Sequence, residues 1–175
     1  LRTDVDNFMP GHFNIGRLFT DESYNLRYCE DMVTLDIGHM TLNNIEFVAF
    51  MPKLRHLILA HTEVQYIEPI RNCKELVFLE LDWTALKDYE PLLGCTALED
   101  LNLGLTYGDA EIIAQMTWLK NLWWKGAGYK RQVLLEEALT TTNMNFTPSY
   151  TVAGGWRELQ NYYDMRDLLG MHYMK

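Results

Sequence analysis

The chain has 175 residues, 48% hydrophobic and 22% charged, and a formal net charge of −9. This is the composition of one globular domain with a sizeable core, not of a disordered chain. So acidic a surface excludes phosphate backbones and anionic membranes as preferred partners, and no apolar run reaches the ~18 residues a membrane span requires.

No signal-peptide core or lipidation motif is legible. The sequence opens on Leu1 rather than Met, from which we expect an upstream leader, tag or domain to have been removed. Three cysteines are an odd number, too few for a disulfide-stapled scaffold, and none has the neighbours of a zinc site. "DVDN" at 4–7 lacks the glycine and terminal glutamate of a calcium loop.

Residues 1–31 are expected to form an N-terminal cap. "HFNIG" (12–16) suits a strand, with Phe13 and Ile15 in phase with Leu35 and Ile37 further on. "TDESYNLRYCEDM" (20–32) predicts a short helix, with Thr20 as N-cap and Asp21 and Glu22 in its first turn.

From residue 32 the chain repeats. "LRHLILAHTEVQYIEPIRNCKE" (54–75), "LVFLELDWTALKDYEPLLGCTA" (76–97) and "LEDLNLGLTYGDAEIIAQMTW" (98–118) align at a period of 22, shortened to 21 in the last. Leu54, Leu76 and Leu98 lead the units. Leu57, Leu79 and Leu101 follow, then Leu59, Leu81 and Leu103, then Thr62, Thr84 and Thr106. Met32, Leu35 and Ile37 extend the columns backwards, and Leu119, Leu122 and Trp124 extend them forwards. The L-x-L period of two predicts a short strand with leucines inward. The later apolar residues, three apart, predict a 3₁₀ or irregular return segment. One unit cannot bury both faces; stacked units can.

The pattern resembles the leucine-rich repeat. The unit length, the ninth-position threonines and the "YIEPI" and "DYEPL" tails are similar to the internalin-like, phosphatase-regulator-like subclass of bacterial surface proteins. The resemblance covers about residues 32–126. It implies an α/β fold: a right-handed solenoid with a parallel concave sheet, an N-terminal helical cap and a C-terminal α+β cap. The expected organisation is a single domain, with caps at 1–31 and 129–175 around about five repeats at 32–128. Met40 stands where the family places Asn or Thr, which predicts a less regular first coil, and Gly108 and Glu111 are expected to loosen the fourth.

Beyond the repeats, "KRQVLLEEALT" (130–140) predicts a helix and "NMNFTPSY" (143–150) a strand or extended segment. "GGWRELQNYYDMRDLLGM" (154–171) predicts a second helix, with Trp156, Leu159, Tyr163 and Leu169 on one face and Gly170 as its stop. The aromatic residues Phe146, Tyr150, Trp156, Tyr162, Tyr163 and Tyr173 are expected to cover the last coil. The tail is also similar to tails of leucine-rich-repeat proteins from gut Firmicutes, and docking of the tail to a partner is the alternative.

Residues alternating with the leucines should face outward from the concave sheet, neighbours in a column lying ~4.8 Å apart. The large side chains Phe78, Trp83, Leu105 and Trp123 have no core role in these columns, and Asp36, Glu80, Asp82 and Asp100 sit beside them. Aromatic anchors next to carboxylates suit a protein or glycan partner carrying basic or hydroxyl groups. His39, His56 and His61 complete this candidate ligand-binding set. The alternatives are a plain solvated face, or a face over which the C-terminal tail folds at Trp123.

Acid–base or metal chemistry at the His/Asp cluster is a remote alternative, because a solenoid face lacks a pocket that excludes water. No triad spacing, phosphate loop or metalloprotease motif is present in the sequence, and Ser23 and Ser149 have no nucleophile context. The expectation is therefore a non-catalytic, monomeric binding module with no cofactor, metal or nucleic acid. It is placed at the bacterial cell surface or in the extracellular space; a cytoplasmic location and a spacer role are the alternatives. Cys29, Met51, Cys73, Cys95 and Met116 share one inward column, so the cysteines are expected to be buried reduced thiols.

Overall fold

The computed structural model describes residues 12–14, 24–147 and 155–170. Among these, seven three-residue strands form one parallel sheet in sequence order: β1 (His12–Asn14), β2 (Thr34–Asp36), β3 (His56–Ile58), β4 (Phe78–Glu80), β5 (Asp100–Asn102), β6 (Asn121–Trp123) and β7 (Asn143–Asn145). The register follows the repeat, pairing Leu35 with Leu57, Leu57 with Leu79 and Leu79 with Leu101. These central leucines are fully buried, each stabilising the coil by ~1.5–3 kcal/mol over exposure.

Each coil returns on the convex side through a short helical turn. Four are 3₁₀ turns, at Tyr24–Tyr28, Glu46–Phe50, Glu68–Asn72 and Glu90–Gly94. Pro69 and Pro91 sit at the start of the third and fourth, where a missing N–H costs nothing. Asn44 and Asp88 accept hydrogen bonds from the N–H groups of Glu46 and Glu90 at 2.7 and 2.9 Å. The fifth coil has no proline there and instead forms α1 (Ala110–Ile113), with Asp109 accepting from the Glu111 N–H. Within the predicted short helix over 20–32 the described residues form the Tyr24–Tyr28 turn, and Thr20, Asp21 and Glu22 lie outside the described residues. A coil this short leaves room for only about one and a half turns of 3₁₀ geometry.

The expectation that Gly108 loosens the fourth unit is not met. A Cβ at Gly108 would lie 2.4 Å from the Tyr89 ring. Tyr89 is buried, and its hydroxyl bonds the Thr106 hydroxyl and accepts from the Gly108 N–H at 2.9 Å. The glycine makes room for a core tyrosine. Met40 is buried in its column, whereas Thr62 and Thr84 donate to the Leu59 and Leu81 carbonyls.

The inward cysteine column is as expected at Cys73 and Cys95 and departs from it at Cys29. Cys73 and Cys95 are buried and free, and Cys29 is free and half-buried. The Cys95 thiol donates to the Ile70 carbonyl at 3.3 Å.

After β6, helix α2 (Tyr129–Ala138) packs Leu135 and Leu139 onto the end of the main core, and β7 adds a strand beyond it. The remaining tail departs from the expected cap and follows the alternative in which it folds over the concave face at Trp123. A 3₁₀ turn (Trp156–Glu158) and helix α3 (Gln160–Leu168) lie across the concave face and not over the last coil. Trp156, Tyr162, Met165 and Leu169 face the sheet, while Tyr163 is 42% exposed. Phe146 packs on the main core as expected; Tyr150 and Tyr173 lie outside the described residues. Gly170 follows α3 in the left-handed region at φ 70°, as a helix stop requires.

Candidate functional site

The pleat sends alternate residues of each strand to the concave side, and the repeat stacks them in columns. The tail divides this face into a covered part and an open strip.

In the covered part, Ile58, Ala60, Phe78 and Trp123 form a second apolar cluster with Trp156 and Met165, separate from the leucine core. Phe78 is 0% exposed and Trp123 8%. The Trp156 ring centroid lies 4.7 Å from that of Phe78 and 5.5 Å from that of Trp123. Glu80 lies buried at the centre. Its carboxylate accepts from the Trp156 indole N–H at 2.9 Å and from Arg157 Nη2 at 3.0 Å. Asp100, also buried, accepts from Asn121 at 2.8 Å and from Asn161 at 3.0 Å. His56 is buried too, its Nδ1 3.1 Å from the Thr34 hydroxyl. The solvent exposure expected of Phe78, Glu80, Asp82, Asp100, Trp123 and His56 is therefore corrected: all six are buried. The tail buries Phe78, Glu80 and Trp123 because their chemistry matches its own.

The open strip runs along the edge column. His39, His61 and Trp83 are exposed, and their rings stack in a ladder. Centroids are 4.4 Å apart for His39–His61 and 5.5 Å for His61–Trp83, with planes 13° apart in both pairs. The Lys125 ammonium lies 5.9 Å from the Trp83 ring centre. Leu105 and Asp36 flank the ladder, half-buried. All three ladder residues have left-handed backbones, with φ of 60°, 58° and 56°. The tight turn after each strand imposes this. Gly126 meets the demand at the equivalent position of the sixth coil, while in the fifth the left-handed residue is Gly104, one position earlier than the equivalent Leu105.

Burial raises the carboxyls of Asp36, Glu80, Asp82 and Asp100 above the ordinary range, and Arg157 opposes the rise at Asp36 and Glu80. Burial, and secondarily the neighbouring His39, lowers His61. Asp82 is buried with its Oδ1 unpaired among the described residues, pressed against Gly104. No group of three or more His, Cys, Asp or Glu converges as a metal-ligand set among the described residues. No helix among them is long and apolar enough to cross a membrane.

Sequence reasoning placed the acidic and aromatic columns but missed their occupants, Trp156, Arg157 and Asn161. The signal was there: an adjacent Trp–Arg pair complements a column of carboxylates beside Phe78.

Compared with solved structures, the chain is similar to an internalin C2 from Listeria monocytogenes, at 17% identity over 74% of this chain and 66% of that one, with a TM-score of 0.56. A leucine-rich-repeat protein of Leptospira interrogans matches at 20% identity over 74% of this chain and 34% of that one, TM-score 0.63. The fold is an internalin-like leucine-rich-repeat solenoid. The mouse RP105/MD-1 complex also matches, at 19% identity over 70% of this chain and 23% of the matched one, TM-score 0.55. The chain thus spans about two thirds of the first of these chains and about a third or a quarter of the others. No protein-family profile and no curated protein matches its sequence.

Proposed function

We propose that this leucine-rich-repeat domain is a non-catalytic recognition module that binds a protein partner through the open strip of its concave face, at the bacterial cell surface or in a secreted protein. The binding residues are His39, His61 and Trp83, flanked by Asp36 and Leu105. Phe78, Glu80, Asp82, Asp100, Trp123 and His56 form the floor that holds the strip rigid. One observation carries this reading: a stacked aromatic ladder, with Trp83 50% exposed, held on left-handed backbone. A left-handed residue with a side chain costs ~1–2 kcal/mol, and a ring pair returns ~0.5–1.5 kcal/mol. Glycine at these turns would serve stability as well, so stability alone does not account for the rings. Exposed aromatics on a rigid support are the usual anchors of an interface. The match to a chain of the mouse RP105/MD-1 complex and the fold shared with an internalin support a protein partner and a surface location. A glycan is the second reading, favoured by the same exposed rings.

The test compares wild type with His61→Ala/Trp83→Ala, both immobilised and offered panels of host-surface proteins and of glycans. Saturable binding by wild type that the double variant loses, at an unchanged melting temperature, supports recognition. Equal binding by both overturns the strip as the binding site, and no binding by either leaves the spacer role.

A further inference from the structure

Residues 155–170 occupy the concave groove as a ligand would. Their described main-chain hydrogen bonds stay within the segment, as from Glu158 to Gly155, Tyr162 to Leu159 and Leu169 to Met165. Among the described residues, none joins this segment to the solenoid, whereas every strand is held to its neighbours by a ladder. Among the described residues, the contacts that dock it come from side chains. Trp156 fills the space between Phe78 and Trp123, and Arg157 and the Trp156 N–H share the Glu80 carboxylate. Asn161 reaches Asp100, and Tyr162 stacks toward Phe78 at 6.1 Å.

Two features distinguish this from ordinary core packing. The cluster is separate from the leucine core, which closes without it. Its centre is a buried carboxylate, and a buried ion pair is commonly no more stable than apolar residues of the same volume. What a buried Glu adds is selectivity for a segment bringing both an N–H and a guanidinium.

We propose that the groove of Phe78, Glu80, Asp100 and Trp123 is a peptide-recognition groove, filled here by the chain's own tail. It takes in trans a partner segment of the same chemistry: a Trp–Arg pair leading into a short helix that presents Asn and an aromatic to the sheet. The partner segment displaces the tail by making the same contacts. This inference is independent of the histidine ladder, whose residues make none of these contacts.

The experiment uses the full chain with a protease site inserted between Ser149 and Tyr150, cut after folding. A fluorescent peptide of residues 154–171 is then added, and its anisotropy followed. The expected result is that the nicked protein keeps its circular-dichroism spectrum and binds the peptide saturably. Unlabelled peptide should compete, and a Trp156→Ala/Arg157→Ala peptide should compete at least 30-fold less well, a ratio of about 2 kcal/mol. The uncut chain should bind at least 10-fold more weakly, because its tethered tail competes. Unfolding on cutting, or equal competition by the doubly substituted peptide, overturns the proposal. Concentration-dependent dimers of the uncut chain would assign the groove to a second copy's tail and overturn the external partner.

Discussion

Trp156 donates its indole N–H to Glu80 at 2.9 Å across 76 residues of sequence, from the tail to the fourth strand of the sheet. This bond and the Arg157–Glu80 ion pair at 3.0 Å turn a solvent-facing column into a buried one. Much of the chemistry suited to a partner is consequently engaged within the molecule.

Replacing Trp156 by Ala removes one of the two tryptophans of the second cluster and one donor to Glu80. In a sealed core such a truncation costs ~3–5 kcal/mol, and here undocking of the tail sets the upper limit. Hydrogen exchange should accelerate by an order of magnitude or more over 156–168, while amides of β3 and β4 keep their protection. Uniform acceleration across the whole chain would show that the two clusters are one cooperative unit.

Stability should rise on mild acidification. Asp36, Glu80, Asp82 and Asp100 have raised carboxyl pKa values, chiefly through burial. The folded state therefore holds protons more tightly than the unfolded state, whose carboxyls titrate near ~4. Stability is gained as pH falls through the folded values and is complete below the unfolded ones. His61, lowered mainly by burial, works the other way below ~6.5. The melting temperature should climb as pH falls from neutral toward the range in which the unfolded carboxyls titrate. Glu80→Gln should flatten the climb, because it removes one of the titrating groups. A melting temperature that falls steadily over this range contradicts the assignment.

His61→Gly tests the strain in the ladder. Glycine relieves the left-handed backbone at φ 58° but forfeits two stacking contacts and gains unfolded-state entropy. These terms are each ~0.5–2 kcal/mol and oppose one another. Thermal denaturation should place the variant within about 1 kcal/mol of wild type. A loss of ~3 kcal/mol or more would make the ladder a structural element.

Gly104→Ala should be far more damaging. Its Cβ would fall 1.6 Å from Asp82 Oδ1 and 2.6 Å from the Asp82 Cα, at φ 41°. Relief requires movement of a buried strand end, so a loss of ~2 kcal/mol or more is expected in chemical denaturation.

The thiols should react in two classes. Burial pushes the Cys73 thiol up to about 11 and the Cys95 thiol up to about 12, and both are buried in the leucine core. At pH 8 half-buried Cys29 should react first, the other two only at the rate of unfolding. Fast modification of all three would place the column outside the core.

The leucine columns were legible because a 22-residue period repeats the same inward positions five times. The 3₁₀ return turns were legible from apolar residues three apart. Within the predicted short helix over 20–32 the described residues form the 3₁₀ turn Tyr24–Tyr28, because each coil must fit the same short path. The tail's aromatic residues were read as a cap at the end of the solenoid because helical periodicity shows which side of a helix is apolar, not what that side meets.

The sequence by itself determined the solenoid, its parallel register and the contents of each concave column, since stacking identical coils converts spacing in the chain directly into adjacency in space. Only the tertiary structure decided which columns face solvent. That choice depends on a contact between Glu80 and Trp156, 76 residues apart, and no periodicity in the chain encodes such a distance. The covering of Phe78 and Trp123, and the exposure of His39, His61 and Trp83, follow from where the tail comes to rest.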